Sequence, residues 1–214
     1  MIVPVAVVVA LCLALYVLVI RPWMLQWGST RQERHSSLPG DDLALDARYV
    51  TTRAVTIDAP PAAIWPWLVQ MGQDRAGFYT HNWVERFLRS GIPDVHEVHP
   101  EWQPLEVGDL MRTNHDIGGK PMGWPVAEVD VGRSIVVRSR NLPAGTYAFV
   151  LRPIERDRTR LIVRDRAAWK RTEIPFAVLV YEPLHAYMET GLIRGLKERA
   201  EAMAAGSERY AIRG

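Results

Sequence analysis

The first twenty residues, MIVPVAVVVALCLALYVLVI, contain no charged side chain, and they constrain the chain more than any other feature. A helix of this length extends about 30 Å, the thickness of the hydrocarbon core of a bilayer. Pro4 lies in the first turn, where a helix tolerates proline. A cleaved signal peptide needs a basic start and small residues before its cleavage site, and this segment has neither. The sequence therefore predicts an uncleaved transmembrane anchor over residues 1–22.

Basic residues follow the predicted anchor, and none precedes it. Arg21, Arg31 and Arg34 come soon after the apolar run. Because flanking basic residues stay on the cytoplasmic side, we expect a single-pass protein of the cell membrane whose soluble domain is cytoplasmic. Residues 23–47 are rich in Ser, Gly and charge without an apolar period, which predicts a juxtamembrane linker.

The composition is that of a globular protein, with 48% hydrophobic and 23% charged residues and a net charge of +2. Cys12 is the one cysteine, so neither an intramolecular disulfide nor a cysteine metal cluster can form. The segment HEVHPE holds His96 and His99, but two histidines beside a proline in a loop lack the spacing of a zinc site. We predict no metal and no cofactor.

The apolar pattern predicts an α+β domain over residues 48–206, followed by a C-terminal tail at 207–214. β-branched residues favour a strand from Arg48 to Ile57. Helical spacing after Pro61 favours a helix up to Met71, and a second short helix is predicted over residues 81–89. Turn residues then separate five antiparallel strands. These are predicted near Asp109–Asn114, Gly123–Val131, Ser134–Arg140, Gly145–Ile154 and Arg158–Trp169.

The last predicted element is a long amphipathic helix over residues 182–205. Its apolar face is predicted to consist of Leu184, Met188, Leu192, Leu196 and Met203, joined by Gly191 and Gly195. An antiparallel sheet needs a cover on its apolar face, and this helix is the only predicted element long enough to provide it. The arrangement favours a cavity between the helix and the sheet, where the two glycines would add volume.

Several segments of this domain resemble the SRPBCC superfamily, whose helix-grip members include START-like and polyketide cyclase-like or dehydratase-like proteins. The resemblance is carried by Val55–Arg86, Glu101–Asp109, Gly145–Ile154, Thr159–Arg166 and the C-terminal METGLIRGLKERAE. It implies a helix-grip fold, in which a curved antiparallel sheet wraps around a long C-terminal helix, here preceded by one transmembrane helix. It also implies a deep apolar pocket for lipids or other hydrophobic molecules, and some members are cyclases or dehydratases.

Aromatic and apolar residues near the implied pocket are the candidate ligand contacts. The stretch GQDRAGFYTHNWVERF supplies Phe78, Tyr79 and Trp83, which either contact a ligand or seal the joint between two helices. The strands and the long helix supply the others. These are Tyr147, Phe149, Trp169, Met188 and Leu192.

Asp165 is the polar candidate for the same pocket. Alternation along the strand RLIVRDRAAW places Asp165 on the inward face, between Val163 and Ala167. A buried carboxylate costs several kcal/mol unless it is paired or protonated. Asp165 is therefore a partner for an inward arginine, an anchor for a ligand, or a catalytic acid/base; an edge position open to water is a further alternative.

Basic residues dominate the segment from Gly132 to Thr172, which has eleven basic and three acidic side chains. Most of them belong to the outward faces of strands and to the turns. Such a face is either solvated or in contact with the anionic cytoplasmic leaflet, at about 1 kcal/mol per basic residue near the surface. For a tethered domain the leaflet is a better partner than nucleic acid, and no nucleic acid is expected.

These features favour a membrane-anchored binding protein, which holds a lipid or another hydrophobic small molecule in the cavity between helix and sheet. A cyclase or dehydratase type of enzyme, using an inward carboxylate, is the alternative. A non-catalytic scaffold or assembly partner is the third. An apolar cavity would favour binding, a carboxylate beside a second titratable group would favour catalysis, and a filled cavity would favour the scaffold.

Overall fold

A computed structural model describes residues 2–80, 95–117, 120–139 and 144–206. The predicted helix over residues 81–89, and Trp83 with it, lies outside the described residues. The chain begins with a run of helix. It consists of α1 (Ile2–Leu15), a π-helical turn (Tyr16–Ile20) and α2 (Arg21–Leu25). Within this run, the stretch Val5–Leu25 is long and apolar enough to cross a membrane.

Six strands form one antiparallel sheet. They are β1 (Tyr49–Ile57), β2 (Leu110–Ile117), β3 (Lys120–Asp130), β4 (Ser134–Ser139), β5 (Gly145–Glu155) and β6 (Arg158–Ala167). Their order across the sheet is β1-β6-β5-β4-β3-β2, so the first strand pairs with the last one. Each strand predicted from the sequence is present, and its ends agree to within a few residues.

The two longest helices described after α2 cover the inner face of the sheet. In chain order the α-helices of the described residues after α2 are α3 (Arg31–His35), α4 (Pro61–Val69), α5 (Ile174–Phe176) and α6 (Glu182–Ala204), and a π-helical turn (Ala177–Tyr181) joins α5 to α6. The long α6 packs against α4 and β1. The curved antiparallel sheet with its long C-terminal helix confirms the predicted α+β helix-grip fold, with the apolar helix before it.

The main core lies between the sheet, α4 and the C-terminal half of α6. Apolar side chains from all three are fully buried there. They include Ile57, Ile64, Leu68, Ile135, Phe149, Leu161, Val163, Ile193 and Leu196. This half of the space between helix and sheet is therefore filled by side chains.

The rotation of α6 about its axis differs from the prediction. Leu184 and Met188 are 53% and 40% exposed, whereas Glu189, Leu192 and Ile193 are buried. Successive helical residues point about 100° apart, so exchanging Met188 for Glu189 on the inner face turns the helix by one residue. The prediction for Met188 and Leu184 was wrong because it required an apolar inner face, while the protein buries a charged side chain there.

Residues 28–46, within the predicted linker, pack on the outer face of the sheet. Leu38 is buried in a small cluster with Ala54, Val150 and Ile162. Thr30 caps α3 by accepting a hydrogen bond from the backbone N–H of Glu33, whose carboxylate in turn accepts from the Thr30 N–H. The sequence shows no apolar period here because a single side chain, Leu38, supplies most of the apolar contact.

The outer arginines of β6 are paired with this covering segment. Arg160 Nε lies 2.7 Å from a Glu33 carboxylate oxygen, and Arg164 NH1 lies 2.7 Å from Asp41. Arg166 NH1 lies 3.5 Å from the same Asp41 carboxylate. These arginines are therefore engaged within the molecule, and the leaflet contact predicted for the basic face cannot use them.

Candidate functional site

A cavity of about 320 Å³ lies between the sheet and the N-terminal end of α6. Aromatic, small and polar residues make up the described part of its wall. They are Trp124 from β3, Val137 and Ser139 from β4, Gly145, Thr146 and Tyr147 from β5, Asp165, Arg166 and Ala167 from β6, and Tyr181 and His185 from the helical side. The cavity therefore lies where the prediction placed it, between helix and sheet, but it occupies only one end of that space.

Asp165 reaches the cavity through strand alternation. In the register of the sheet it lies opposite Thr51 of β1 on one side and Tyr147 of β5 on the other. The residue is 8% exposed, and its Oδ2 atom has no hydrogen-bond partner among the described residues. The inward position of Asp165 agrees with the sequence pattern; its role stays a prediction.

The inward arginine is Arg53, and its partner is Glu189 rather than Asp165. Arg53 NH1 lies 2.8 Å from Glu189 Oε2, and both side chains are almost completely buried. Arg53 Nε also donates a hydrogen bond to the Met24 carbonyl oxygen at the end of α2. Sequence reasoning missed this pair, although one signal was available: Arg53 alternates with Val55 and Ile57, so it shares the inner face of β1.

His185 lies beside both carboxylates. Its Nε2 atom is 3.5 Å from Glu189 Oε2 and 3.7 Å from Asp165 Oδ2. Its Nδ1 atom lies 3.3 Å from the Tyr49 hydroxyl. Because the Glu189 carboxylate that pairs with Arg53 only accepts hydrogen bonds, we assign the proton of the neutral ring to Nε2, and the Tyr49 hydroxyl then donates to Nδ1. The Tyr181 ring stacks on the imidazole, with the two ring centroids 5.3 Å apart.

Burial sets the protonation of this cluster. It raises the pKa of Asp165 from 3.8 to about 8; the Glu189 carboxylate acts in the same direction, and Arg53 opposes it. Burial lowers the pKa of His185 from 6.5 to about 4, against the influence of Glu189. At neutral pH, Asp165 therefore carries a proton and His185 is uncharged. The charges that remain in the cluster are those of Arg53 and Glu189, which compensate each other.

This arrangement can bind a polar group at one end of an aromatic cavity. Protonated Asp165 can donate one hydrogen bond and accept others, and the Nε2–H of His185 is a second donor. Burial of an unpaired polar atom is costly, so a ligand that completes the hydrogen bonds of Asp165 gains affinity. Among the residues that the structure describes, no group of three or more His, Cys, Asp or Glu side chains is placed to hold a metal ion.

Of the predicted ligand contacts, Tyr147 and Asp165 line the cavity. The Tyr147 ring packs against Trp124, with centroids 5.7 Å apart, and Trp124 is also 6.4 Å from the half-buried ring of Phe78. Phe78 therefore supports the cavity wall from behind rather than lining it. The sequence-based prediction did not include Trp124 or His185. Nothing in the sequence distinguished Trp124 from the other tryptophans among the eight, and His185 was not predicted to face the sheet.

The other described candidates lie away from the cavity. Tyr79, Phe149 and Leu192 are buried in the main core, and Tyr79 donates its hydroxyl proton to the Trp67 carbonyl oxygen. Trp169 belongs to a separate cluster with Tyr49 and packs on the Tyr181 ring. Met188 is on the exposed side of α6.

Gly195 of α6 does not add volume to the cavity in the manner predicted. Gly191 and Gly195 are buried, as expected. A Cβ atom on Gly195, however, would lie 2.3 Å from the Tyr79 carbonyl oxygen. Gly195 thus permits close approach of α6 to the backbone that follows α4, and a larger side chain there would disturb packing rather than fill the cavity.

Fold and cavity together define the class: a helix-grip domain with a partly polar cavity at one end, carried behind an apolar N-terminal helix. No protein-family model matches the sequence, and the search of curated proteins gives no match.

Solved structures with a similar fold include bacterial proteins of the START and aromatase/cyclase types. The chain aligns with the Zhui aromatase/cyclase from Streptomyces sp. R1128 at 16% identity and a TM-score of 0.42, over 73% of this chain and 97% of that one. A START superfamily protein from Mycobacterium smegmatis aligns at 12% identity and a TM-score of 0.39, over 73% and 97%. Protein NE0264 from Nitrosomonas europaea aligns at 14% identity and 0.45, over 75% and 97%. At these identities and TM-scores the likeness concerns the fold alone.

Proposed function

We propose that this protein is a binding protein, anchored in the cell membrane by its N-terminal helix, which holds a hydrophobic small molecule in the cavity between α6 and the sheet. The observation that carries the proposal is the unpaired, buried Oδ2 atom of Asp165 at the wall of an aromatic cavity. The basic residues Arg21, Arg31 and Arg34 behind the apolar helix support a cytoplasmic position of the domain.

The size of the cavity supports a compact ligand. Ligand pockets measure roughly 300–1,000 Å³, so a cavity of about 320 Å³ is at the small end. The space next to it, beneath the second half of α6, is filled by Leu192, Ile193 and Leu196. The ligand class that fits is a small hydrophobic molecule, or one end of a lipid.

The polar atoms of the wall support a ligand with a hydroxyl, carbonyl or amine group. Such a group would meet His185 and Asp165, whose Oδ2 atom has no hydrogen-bond partner among the described residues, while its apolar body lies against Tyr147 and Trp124. Recognition by few polar atoms in a mainly apolar pocket is typical of small-molecule sites.

Native mass spectrometry of the full chain tests this function. We expect the wild type to retain a small molecule, and Ala167→Leu, which adds bulk at the cavity wall, to lose it. Asp165→Asn should weaken retention at least severalfold. Asp157→Asn is the matched control, since it removes a carboxylate from an exposed turn at the start of the same strand. Equal retention by all four proteins, at equal thermal stability, would contradict the proposal.

A cyclase or dehydratase type of enzyme is the second candidate, and one observation favours it. Asp165 and His185 lie 3.7 Å apart at the cavity wall, and at neutral pH Asp165 holds a proton that it can give to a ligand, while the uncharged His185 donates from Nε2–H. Such a pair suits general acid–base catalysis. If the retained molecule is converted by the wild type but not by Asp165→Asn or His185→Gln, the protein is an enzyme; if it is released unchanged, it is a binding protein. The open cavity does not support the scaffold alternative.

A further inference from the structure

One side of the helical segment that leads into α6 is apolar and exposed. Its members, which we call the apolar face, follow one another along α5, the π-helical turn and the first turn of α6. They are Ile174, Phe176, Leu179, Val180 and Leu184, between 39% and 61% exposed. Soluble domains rarely present such a contiguous apolar surface unless a partner or a membrane covers it.

Direct bonds tie this segment to the N-terminal helix. The Tyr16 hydroxyl donates a hydrogen bond to the Val178 carbonyl oxygen at 2.5 Å. Five residues further on, Arg21 donates from Nε and NH2 to the two oxygens of the Glu182 carboxylate, at 2.6 and 2.9 Å. Because residues 16 and 21 meet residues 178 and 182 in the same order, the two helical segments run side by side in the same direction.

These bonds fix the depth of the apolar face relative to the bilayer. The uncharged run ends at Ile20, and Tyr16 lies four residues before that point. At about 1.5 Å per residue, Tyr16 and the Val178 carbonyl bonded to it are about 6 Å below the end of the run. Apolar side chains of membrane-surface helices reach roughly 5–10 Å into the interface, and Val178 lies within that range.

We propose that the apolar face lies in the cytoplasmic interface of the bilayer, as a second membrane contact beside the spanning helix. The proposal rests on the proposed anchor, which brings the lipid to this surface. The hydrogen bond from Tyr16 to the Val178 carbonyl oxygen holds this face beside a helix that, in the proposed anchor, acyl chains surround. The occupant is thus lipid rather than another protein chain.

The second contact specifies the source of the ligand. Tyr181 and His185 line the cavity, and they alternate along the same helical segment with the exposed Val180 and Leu184. The cavity is therefore separated from the interface by a single layer of helix. A hydrophobic ligand dissolved in the membrane reaches the protein at this wall without crossing water.

Lipid-borne quenchers test the proposal on the full chain. A Cys12→Ser background carries one new cysteine, Leu179→Cys or Phe176→Cys, labelled with a nitrobenzoxadiazole fluorophore and reconstituted into phosphatidylcholine–phosphatidylglycerol vesicles. The control is Val131→Cys, which is 76% exposed in the turn between β3 and β4. Nitroxide groups on the phospholipid acyl chains should quench the label at 179 and 176 severalfold more than the label at 131.

Flotation of the vesicles separates this proposal from the proposed anchor. If the chain floats with the vesicles and the label at 179 is quenched no more than the label at 131, the anchor stands and the second contact is overturned. If the label is shielded from aqueous iodide but not quenched by lipid, a protein surface covers the apolar face, and the proposal is again overturned. If the chain does not float, both the anchor and the second contact fail.

Discussion

Asp165 makes the stability of the protein depend on pH. Its pKa rises from 3.8 to about 8 on folding, so the folded protein holds a proton that the unfolded chain releases. The contribution of Asp165 to folding stability is therefore complete below pH 4, and it is lost as the pH rises to about 8. His185, with a pKa lowered from 6.5 to about 4, acts in the opposite sense and only below pH 6.5.

Between pH 6.5 and 8 we therefore expect the wild type to lose about 2 kcal/mol of folding free energy, at 1.36 kcal/mol per pH unit. For a chain of this size that lowers the melting temperature by roughly 4–8 °C. Asp165→Asn should remove this loss, because asparagine resembles the protonated acid. Scanning calorimetry of the full chain at both pH values checks it, with Asp157→Asn expected to behave as the wild type. An unchanged slope in Asp165→Asn would show that another group titrates.

Glu189 compensates the charge of a fully buried arginine. Glu189→Gln should destabilise the protein by roughly 3–5 kcal/mol, because Arg53 then remains buried without its counter-charge. Glu198→Gln, on the exposed side of the same helix, should have almost no effect. The double variant Arg53→Met, Glu189→Gln should regain most of the loss, since it removes the unpaired charge. Chemical denaturation measures all three; equal stability of the two single variants would rule out the pairing.

The buried pair also explains why part of the site escaped prediction. Strand alternation is a local property, so it placed Asp165 correctly. Which residue pairs with Arg53 depends on the rotation of α6. The predicted rotation was wrong by one residue because Glu189 lies where an apolar residue is expected. A single sequence does not show which residues far apart along the chain are in contact, and Arg53 and Glu189 are far apart.

At the level of elements, periodicity was sufficient for the strands and for the extent of α6. It was not sufficient for the packing of residues 28–46, whose contacts with the sheet are mainly polar. Arg164 illustrates the difficulty: its guanidinium binds the Ser36, Glu33 and Arg34 carbonyl oxygens as well as the Asp41 carboxylate. Backbone acceptors carry no sequence signal, so an outward arginine and a Ser-rich segment appear unrelated.

The contact between α6 and the backbone at Tyr79 can be tested through Gly195. In an ordinary helix interior, Gly→Ala stabilises by about 1 kcal/mol. Here the new Cβ atom would lie 2.3 Å from the Tyr79 carbonyl oxygen, so we expect Gly195→Ala to destabilise by about 1–3 kcal/mol, as overpacking does. Glu198→Ala on the exposed side of α6 is the control. A stabilised Gly195→Ala would mean that α6 lies further from this backbone.

For the whole molecule, the predicted orientation can be tested with topology reporters. A reporter fused after Gly214 should be active only if it functions in the cytoplasm, because the basic residues that follow the apolar helix favour that side. Replacing Arg21, Arg31 and Arg34 by Gln should reduce this preference. A periplasm-active reporter on the wild type, or a mature chain that starts after Ile20, would contradict the anchor and its orientation.

The junction between α2 and the sheet limits how far the domain can travel. Arg53 holds the Met24 carbonyl at 2.7 Å, Ala54 N–H binds the Trp27 carbonyl at 3.1 Å, and the next residues lie on the outer face of the sheet. A flexible tether of about twenty residues would let a domain explore roughly 25 Å around its anchor. In this chain the described residues between α2 and β1 are instead held against the sheet. With the apolar helix in a bilayer, these bonds would hold the domain close to its own membrane and away from an opposing one. Under the proposed function, exchange of the ligand would therefore be confined to that membrane and to soluble partners that come to its surface.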